Sequence, residues 1–369
     1  MAKEKNIINE LTVNDKVISY FKENYSNLLL DEFDNIQLYS DLNDEYNALH
    51  RGVGIRNISL NAFIEMTGEN TLSFLNRIST NNVESLEVNK TIKTLFTNPK
   101  GGVIGRTSLM NIGDNRFFLL GSFNNNVRLS HWVRNFMTDE KIKISDRTSK
   151  HLLLEIYGQQ ADSYLTIICG NEIDNLKQGE IMTFTSEGFV FHLIKTNDAV
   201  GNIKYWLILL NDECDKFLQL LLDSKSVFDL KFVGEKAYNI FRIENGIPIV
   251  PNEFTGNYNP VEAGIENEVD LSKPTFIGKD VIVRKEKFDI PKKLFGLNLN
   301  NLSIEQLPFT VFDAKNKAVA IITSIAESIK FNKQIGLGYF SEEDSKEKKN
   351  YFDASNNPID IELVELPFK

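Results

Sequence analysis

Among the side chains of this chain that can do chemistry, Arg242 has the most informative surroundings. It stands in Phe241-Arg242-Ile243-Glu244-Asn245-Gly246-Ile247-Pro248, where the spacing predicts a helix over Gly234–Asn245 stopped by Gly246 and then Pro248. A guanidinium near a helix C-terminus can interact with the last carbonyls and with the negative end of the helix dipole. In a pocket the same group makes a bidentate clamp on a carboxylate or a planar heterocycle. The sequence leaves both readings open. Other chemistries have little to stand on. His50, His131, His151 and His192 show no zinc-ligand spacing, and Cys169 and Cys214 lie far apart with no second ligand nearby, so both read as buried structural thiols.

The composition narrows the class. With 369 residues the chain exceeds what one core usually serves, and 42% hydrophobic with 25% charged residues is ordinary for a soluble globular protein. A formal charge of −10 opposes binding to nucleic acid, whose affinity rests on cation–phosphate pairing, although a local basic patch can still hold a small anion. No apolar run approaches the length of a membrane span, and Met1–Glu10 lacks the apolar core of a secretory signal, so a cytoplasmic protein without a membrane partner is expected.

The elements that must position any site follow from periodicity. Residues 1–45 read as an acidic lead-in with two short elements, at Val17-Ile18-Ser19-Tyr20-Phe21 and Leu28-Leu29-Leu30. From Ala62 a strand runs into Gly68, and helical spacing begins at Leu72, Leu75 and Ile78. A hairpin follows, with Thr91–Thr97 and Val103–Met110 flanking Asn98-Pro99-Lys100-Gly101-Gly102, then a strand at Phe117–Gly121. A second unit starts near Leu152–Tyr157, with a helix from Gln160 to Ile168, strands at Phe184–Lys195 and Lys204–Leu210, and a helix over Asp212–Leu222. Trp132 and Trp206 sit in periodic apolar contexts and read as core. Past Lys292, short strands recur between Asp/Asn/Lys turns, as in a small barrel or sandwich. The expected class is α+β: a lead-in over 1–45, a body of two mixed subdomains over 46–148 and 149–290, and a C-terminal β-barrel over 291–369.

The order of several short motifs resembles the tetrahydrofolate-binding family that holds the glycine-cleavage T-protein and the YgfZ-type iron–sulfur maintenance proteins. The carriers are Thr67-Gly68-Glu69-Asn70, Ser79-Thr80-Asn81-Asn82-Val83, the glycine hairpin Asn98–Ile104, the Arg242-Ile243-Glu244 run with Gly246-Ile247-Pro248, then Glu253-Phe254-Thr255, Asn259–Gly264, Phe276-Ile277-Gly278-Lys279, and Ile322-Thr323-Ser324 with Ile335–Tyr339. The resemblance spans roughly residues 44–369. It implies two interleaved subdomains and a barrel, ring-like around a channel for tetrahydrofolate, with Arg242 as first choice for a folate contact. Glu244 then either orients that arginine or faces a neighbouring strand, and Asn61 falls where the family has a methionine facing the pterin. Lys100, Arg106, Lys273, Lys279 and Arg284 either border the folate tail or are solvated surface.

Departures from the family pattern are equally informative. Gly105-Arg106 stands where the T-protein hairpin carries carboxylates, and the stretch Asn197–Asn202 lacks the family's pterin-binding glutamate, with Asp198 as a substitute or a turn residue. Thr275 takes the place of the reactive YgfZ cysteine, and a threonine without a base is a poor nucleophile. The leading expectation is a YgfZ-like folate binder in iron–sulfur protein maintenance, partnered by an iron–sulfur protein or a lipoyl carrier. The alternatives are a folate-dependent aminomethyltransferase or demethylase, and a scaffold that has lost folate.

Overall fold

A computed structural model describes residues 12–123, 125–198, 200–210, 213–223, 227–287, 292–300, 302, 304, 306–346 and 349–369. Met1–Glu10, Ala199 and Asp212 lie outside the described residues. Two large sheets face each other, a third forms the C-terminal unit, and Leu29–Leu30 with Ile36–Leu38 makes a small two-stranded sheet, so the expected α+β architecture with a nearly closed barrel is what the chain adopts. The first sheet has five strands in the order Lys90–Thr97, Val103–Gly113, Arg116–Phe123, Asn61–Thr67 and Lys143–Asp146. The helices Thr71–Ile78 and Asn126–Asn135 cover one of its faces, burying Phe74, Leu75, Ile78, Leu129 and Trp132 against Ile64, Met66, Phe96 and Leu109.

The second sheet runs Ile181–Ser186, Phe189–Asn197, Ile203–Leu209, Leu153–Tyr157, Val53–Asn57 and Leu230–Phe232. Its fifth strand comes from residues that precede the whole first sheet, so the chain interleaves the two units. Period-two alternation sends Val53, Ile55, Leu154, Ile156, Tyr205 and Leu207 to the outer core, where they meet the helices Ala161–Cys169 and Cys214–Asp223. The lead-in also belongs to this core. Thr12 and Asp15 form a reciprocal capping box that starts a helix over Val13–Asn24, whose Val17 and Phe21 are fully buried. Cys214 is buried in the same cluster and Cys169 packs against it, with no disulfide between them.

The C-terminal sheet has seven strands, ordered Pro358–Ile359, Tyr351–Phe352, Phe309–Phe312, Ala318–Ser328, Lys333–Phe340, Lys293–Leu299 and Ile361–Val364. It docks through Tyr339, Leu337 and Leu294 on Phe254, Ile243 and Val103. The helix Glu235–Glu244 lies between this barrel and the second sheet, which makes it the pivot of the molecule. No helix of the described residues is long and apolar enough to cross a membrane.

Candidate functional site

The alternation that sends Leu154 and Ile156 to the outer core turns Glu155 toward the first sheet. In register, Arg56 lies opposite Glu155, and Glu155 opposite Trp206, so a cation, an anion and an indole stand side by side across three strands. A charge here must be paired, because an isolated one in a protein interior is very costly. Glu155 forms close ion pairs with Arg56 and Lys204 and accepts from Trp206 Nε1 at 3.1 Å. Burial alone pushes its carboxyl up, yet Lys204 and Arg56 outweigh that and hold it at about 2. Arg56 also donates to Glu235 at 2.8 Å, and its guanidinium lies 3.2 Å above the Tyr238 ring.

These side chains form one wall of a cavity of about 160 Å³ between the two sheets. The opposite wall comes from the first sheet, with Asn61, Lys93, Arg106, Ser108 and Leu120, and the segment Ile247–Val250 after the pivot helix closes a third side. Arg106 is partly buried and bound in fork geometry to Glu268, with Nε at 3.0 and 2.9 Å from the two carboxylate oxygens. Lys93 donates to the Asn197 backbone carbonyl at 2.5 Å, to the Asn197 side-chain amide, and to the Asp198 carbonyl at 3.3 Å. Burial and the neighbouring Arg106 bring Lys93 down to about 8.

The residues singled out from sequence divide. Asn61 lines the cavity, with its Nδ2 donating to the Gly121 carbonyl at 3.1 Å. Arg242 and Glu244 do not line it; both are buried at the joint between the pivot helix and the barrel. Arg242 donates to Asn239 Oδ1 at 2.8 Å, the Ile247 carbonyl at 3.3 Å, Glu253 at 3.2 Å and Ser324 Oγ at 2.6 Å. Glu253 in turn accepts from Thr323, Ser324 and the Ile249 amide. The motif residues Arg242, Glu253, Thr323 and Ser324 thus make one buried network whose outer contacts fix Ile247 and Ile249, both in the cavity wall. Glu244 accepts from Tyr46 at 2.5 Å, Ser328 at 2.6 Å and the Lys330 amide at 3.2 Å, so it faces a barrel strand and leaves Arg242 to other partners.

Other cations also have settled places. Lys273 is buried and donates to the carbonyls of Asn76, Ser79 and Asn81, closing the end of the helix Thr71–Ile78. Lys100 and Arg284 are exposed. Asp198 is both turn and wall: its carboxylate accepts from the Val200 and Asn202 amides and the Asn202 side chain, and the residue lines the cavity. Trp206 belongs to the core, as expected, and also to the cavity. Sequence reasoning missed Arg56, Lys93, Glu155, Lys204, Glu235 and Tyr238. The available signal was a charge set among apolar neighbours, as in Leu153-Leu154-Glu155-Ile156-Tyr157.

Comparison with known proteins agrees with this architecture. The family described as the GCVT N-terminal domain matches residues 18–273. Among curated relatives, an aminomethyltransferase of Chloroherpeton thalassium is 25% identical over 331 residues, covering 89% of this chain and 91% of its own. One of Halothermothrix orenii is also 25% identical, covering 89% and 92%, and one of Bacillus subtilis is 24% identical, covering 84% and 85%. The solved glycine cleavage system aminomethyltransferase T from Bartonella henselae superposes with a TM-score of 0.75 over 89% of each chain at 18% identity, a likeness of fold. With more than half its length matched, the chain belongs to the GCVT N-terminal domain family, within the folate-binding T-protein superfamily.

Proposed function

We propose that the protein binds a reduced folate in the cavity between its two sheets and transfers a one-carbon unit to or from it, as an aminomethyltransferase-type enzyme. The observation that carries this reading is the nearly end-to-end likeness to aminomethyltransferases, 89% of this chain against 91% of the relative. The YgfZ-like role in iron–sulfur protein maintenance has less behind it. The relatives are named aminomethyltransferases, and Thr275, in the place of the reactive cysteine, is exposed.

The side chains present suit a pterin. Its donor-rich edge needs a carboxylate oxygen, and Glu235 has Arg56 on one oxygen only, among the described residues. Asn61 keeps its amide oxygen for a donor, and Trp206 and Tyr238 supply flat apolar walls. At about 160 Å³ the cavity has space for one ring; a cavity of roughly 150 Å³ holds benzene. The Arg56 guanidinium, 3.2 Å over the Tyr238 ring, lies against the face that a second ring would take.

When bound, the folate supplies the nitrogen that carries the one-carbon unit. The protein supplies position: the Arg242–Glu253 network fixes Ile247 and Ile249, and a wall set this rigidly aligns donor and acceptor. The hairpin itself presents Gly105 and Arg106, and Arg106 is locked to Glu268. The test is turnover with a lipoyl carrier protein, ammonia and methylene-tetrahydrofolate. Folate-dependent loading of the carrier supports glycine-cleavage chemistry. No turnover, with folate still bound, restricts the reading to a different one-carbon donor.

A further inference from the structure

We propose that His151 and His192 form an acid-released latch, which holds the two facing sheets together while both rings are neutral and lets them part when both carry a proton. The latch does not depend on which ligand the central cavity takes.

Strand alternation places the pair. His192 lies opposite Thr183 and Ile208, and Ile208 belongs to the apolar cluster between the sheets, so His192 shares that inward face. Its Nδ1 lies 2.9 Å from Thr183 Oγ1. The His151 ring meets Phe63 of the first sheet edge-on, with centroids 5.8 Å apart. Phe63 stacks on Phe118 at 4.7 Å, and the Arg116 guanidinium lies 5.1 Å over Phe118. A column of rings thus joins a histidine of the second unit to an arginine of the first sheet. Arg116 and Arg147 share one carboxylate, Glu65, at 2.5 and 2.7 Å. Two guanidiniums on one carboxylate leave a positive charge over before either histidine titrates.

The charges facing the two rings are Glu65, Arg116 and Arg147 from the first sheet, with each histidine facing the other. Lys150, next to His151, and Lys143, at the outer end of its strand, are exposed. Burial holds both rings below the ordinary 6.5, helped at His151 by Arg147 and Arg116 and at His192 by Arg116 and His151. Only the Leu209 backbone and Glu65 favour a proton, and only on His151. The parted sheets therefore take up protons first as pH falls, so the latch is complete above pH 6.5 and is lost below it. Two added protons set four cations against one carboxylate in a half-buried gap, and hydration of the imidazolium rings then favours the open form. The effect reaches the cavity because Ile58, Leu120 and Trp206 belong both to the inter-sheet cluster and to the cavity wall.

The test compares the wild-type chain with the double variant His151→Gln, His192→Gln from about pH 7.5 to about pH 5, the range in which imidazoles titrate. Trp206 emission is read in a Trp132→Phe background, since Trp132 lies in a different core. Wild-type emission should shift to the red and its urea midpoint should fall across that span, whereas the double variant keeps its emission and most of its midpoint. Tetrahydrofolate affinity should drop about tenfold in wild type and hold in the double variant. If the double variant fails to fold, histidine-ring NMR of wild type decides: both rings should titrate below 6.5, with the emission shift tracking them. An emission shift that persists in the double variant, its absence from wild type, or rings that titrate at or above 6.5 overturn the proposal. An emission shift without tetrahydrofolate binding at any pH leaves the latch standing and sinks the folate reading instead.

Discussion

Arg242 and Glu253 show how a residue governs a site without touching it. Their ion pair is fully buried, and each partner also binds the segment that walls the cavity. Arg242→Ala leaves Glu253 charged and unpaired in the interior, a loss of about 3–5 kcal/mol. Urea unfolding should show that loss, and folate affinity should fall in whatever fraction stays folded. The type of these motif residues was legible in the sequence, since Arg242 was a candidate for either a dipole contact or a clamp. What it clamps was not, because Glu253 comes round through the irregular loop after the helix and Ser324 arrives only with the docking of the barrel. Glu155 adds a pH dependence. Its folded value of about 2 lies below the ordinary 4.5, so the unfolded chain takes up the proton first as pH falls. Its stabilisation is complete above pH 4.5 and is lost as pH falls toward 2. The stability gap between wild type and Glu155→Gln should therefore close across that window, measured by denaturant midpoints.

At the scale of elements, strands with strong alternation and clear turn residues were legible. The hairpin expected from Thr91–Thr97 and Val103–Met110 is present as Lys90–Thr97 and Val103–Gly113. Asn98 holds its turn through the Lys100 and Gly102 amides. A single strand expected at Phe184–Lys195 is instead two, Ile181–Ser186 and Phe189–Asn197, reversed at Glu187-Gly188 where both residues have positive φ. The polar Ser186-Glu187-Gly188 step between Phe184 and Phe189 was the available turn signal. The strand Val53–Asn57 was unmarked because its pairing partners are about a hundred residues and more away, across the whole first sheet. Gly102 records a second long-range demand: a Cβ there would lie 1.8 Å from the Gly256 carbonyl oxygen. Gly102→Ala should destabilise by roughly 2 kcal/mol or more by forcing the hairpin off that loop, a loss visible in thermal unfolding.

Across the whole molecule, the barrel is a structural partner of the cavity. Ser324 and Thr323 from one barrel strand complete the Arg242–Glu253 network, and Ser328 from the same strand holds Glu244. A chain ending at residue 290 should expose those buried charges and the apolar contacts of Ile243 and Phe254, and lose cooperative unfolding in circular dichroism. The three-part architecture was legible from the order of motifs, whereas the cavity was not, because its walls combine strands from both ends of the interleaved body. Whether that cavity takes a reduced folate decides the function of the molecule. Calorimetric titration of the full chain with 5-formyltetrahydrofolate should give saturable one-to-one binding accompanied by a change in Trp206 emission, because that indole lines the site. No heat and no emission change at millimolar ligand would contradict folate binding there.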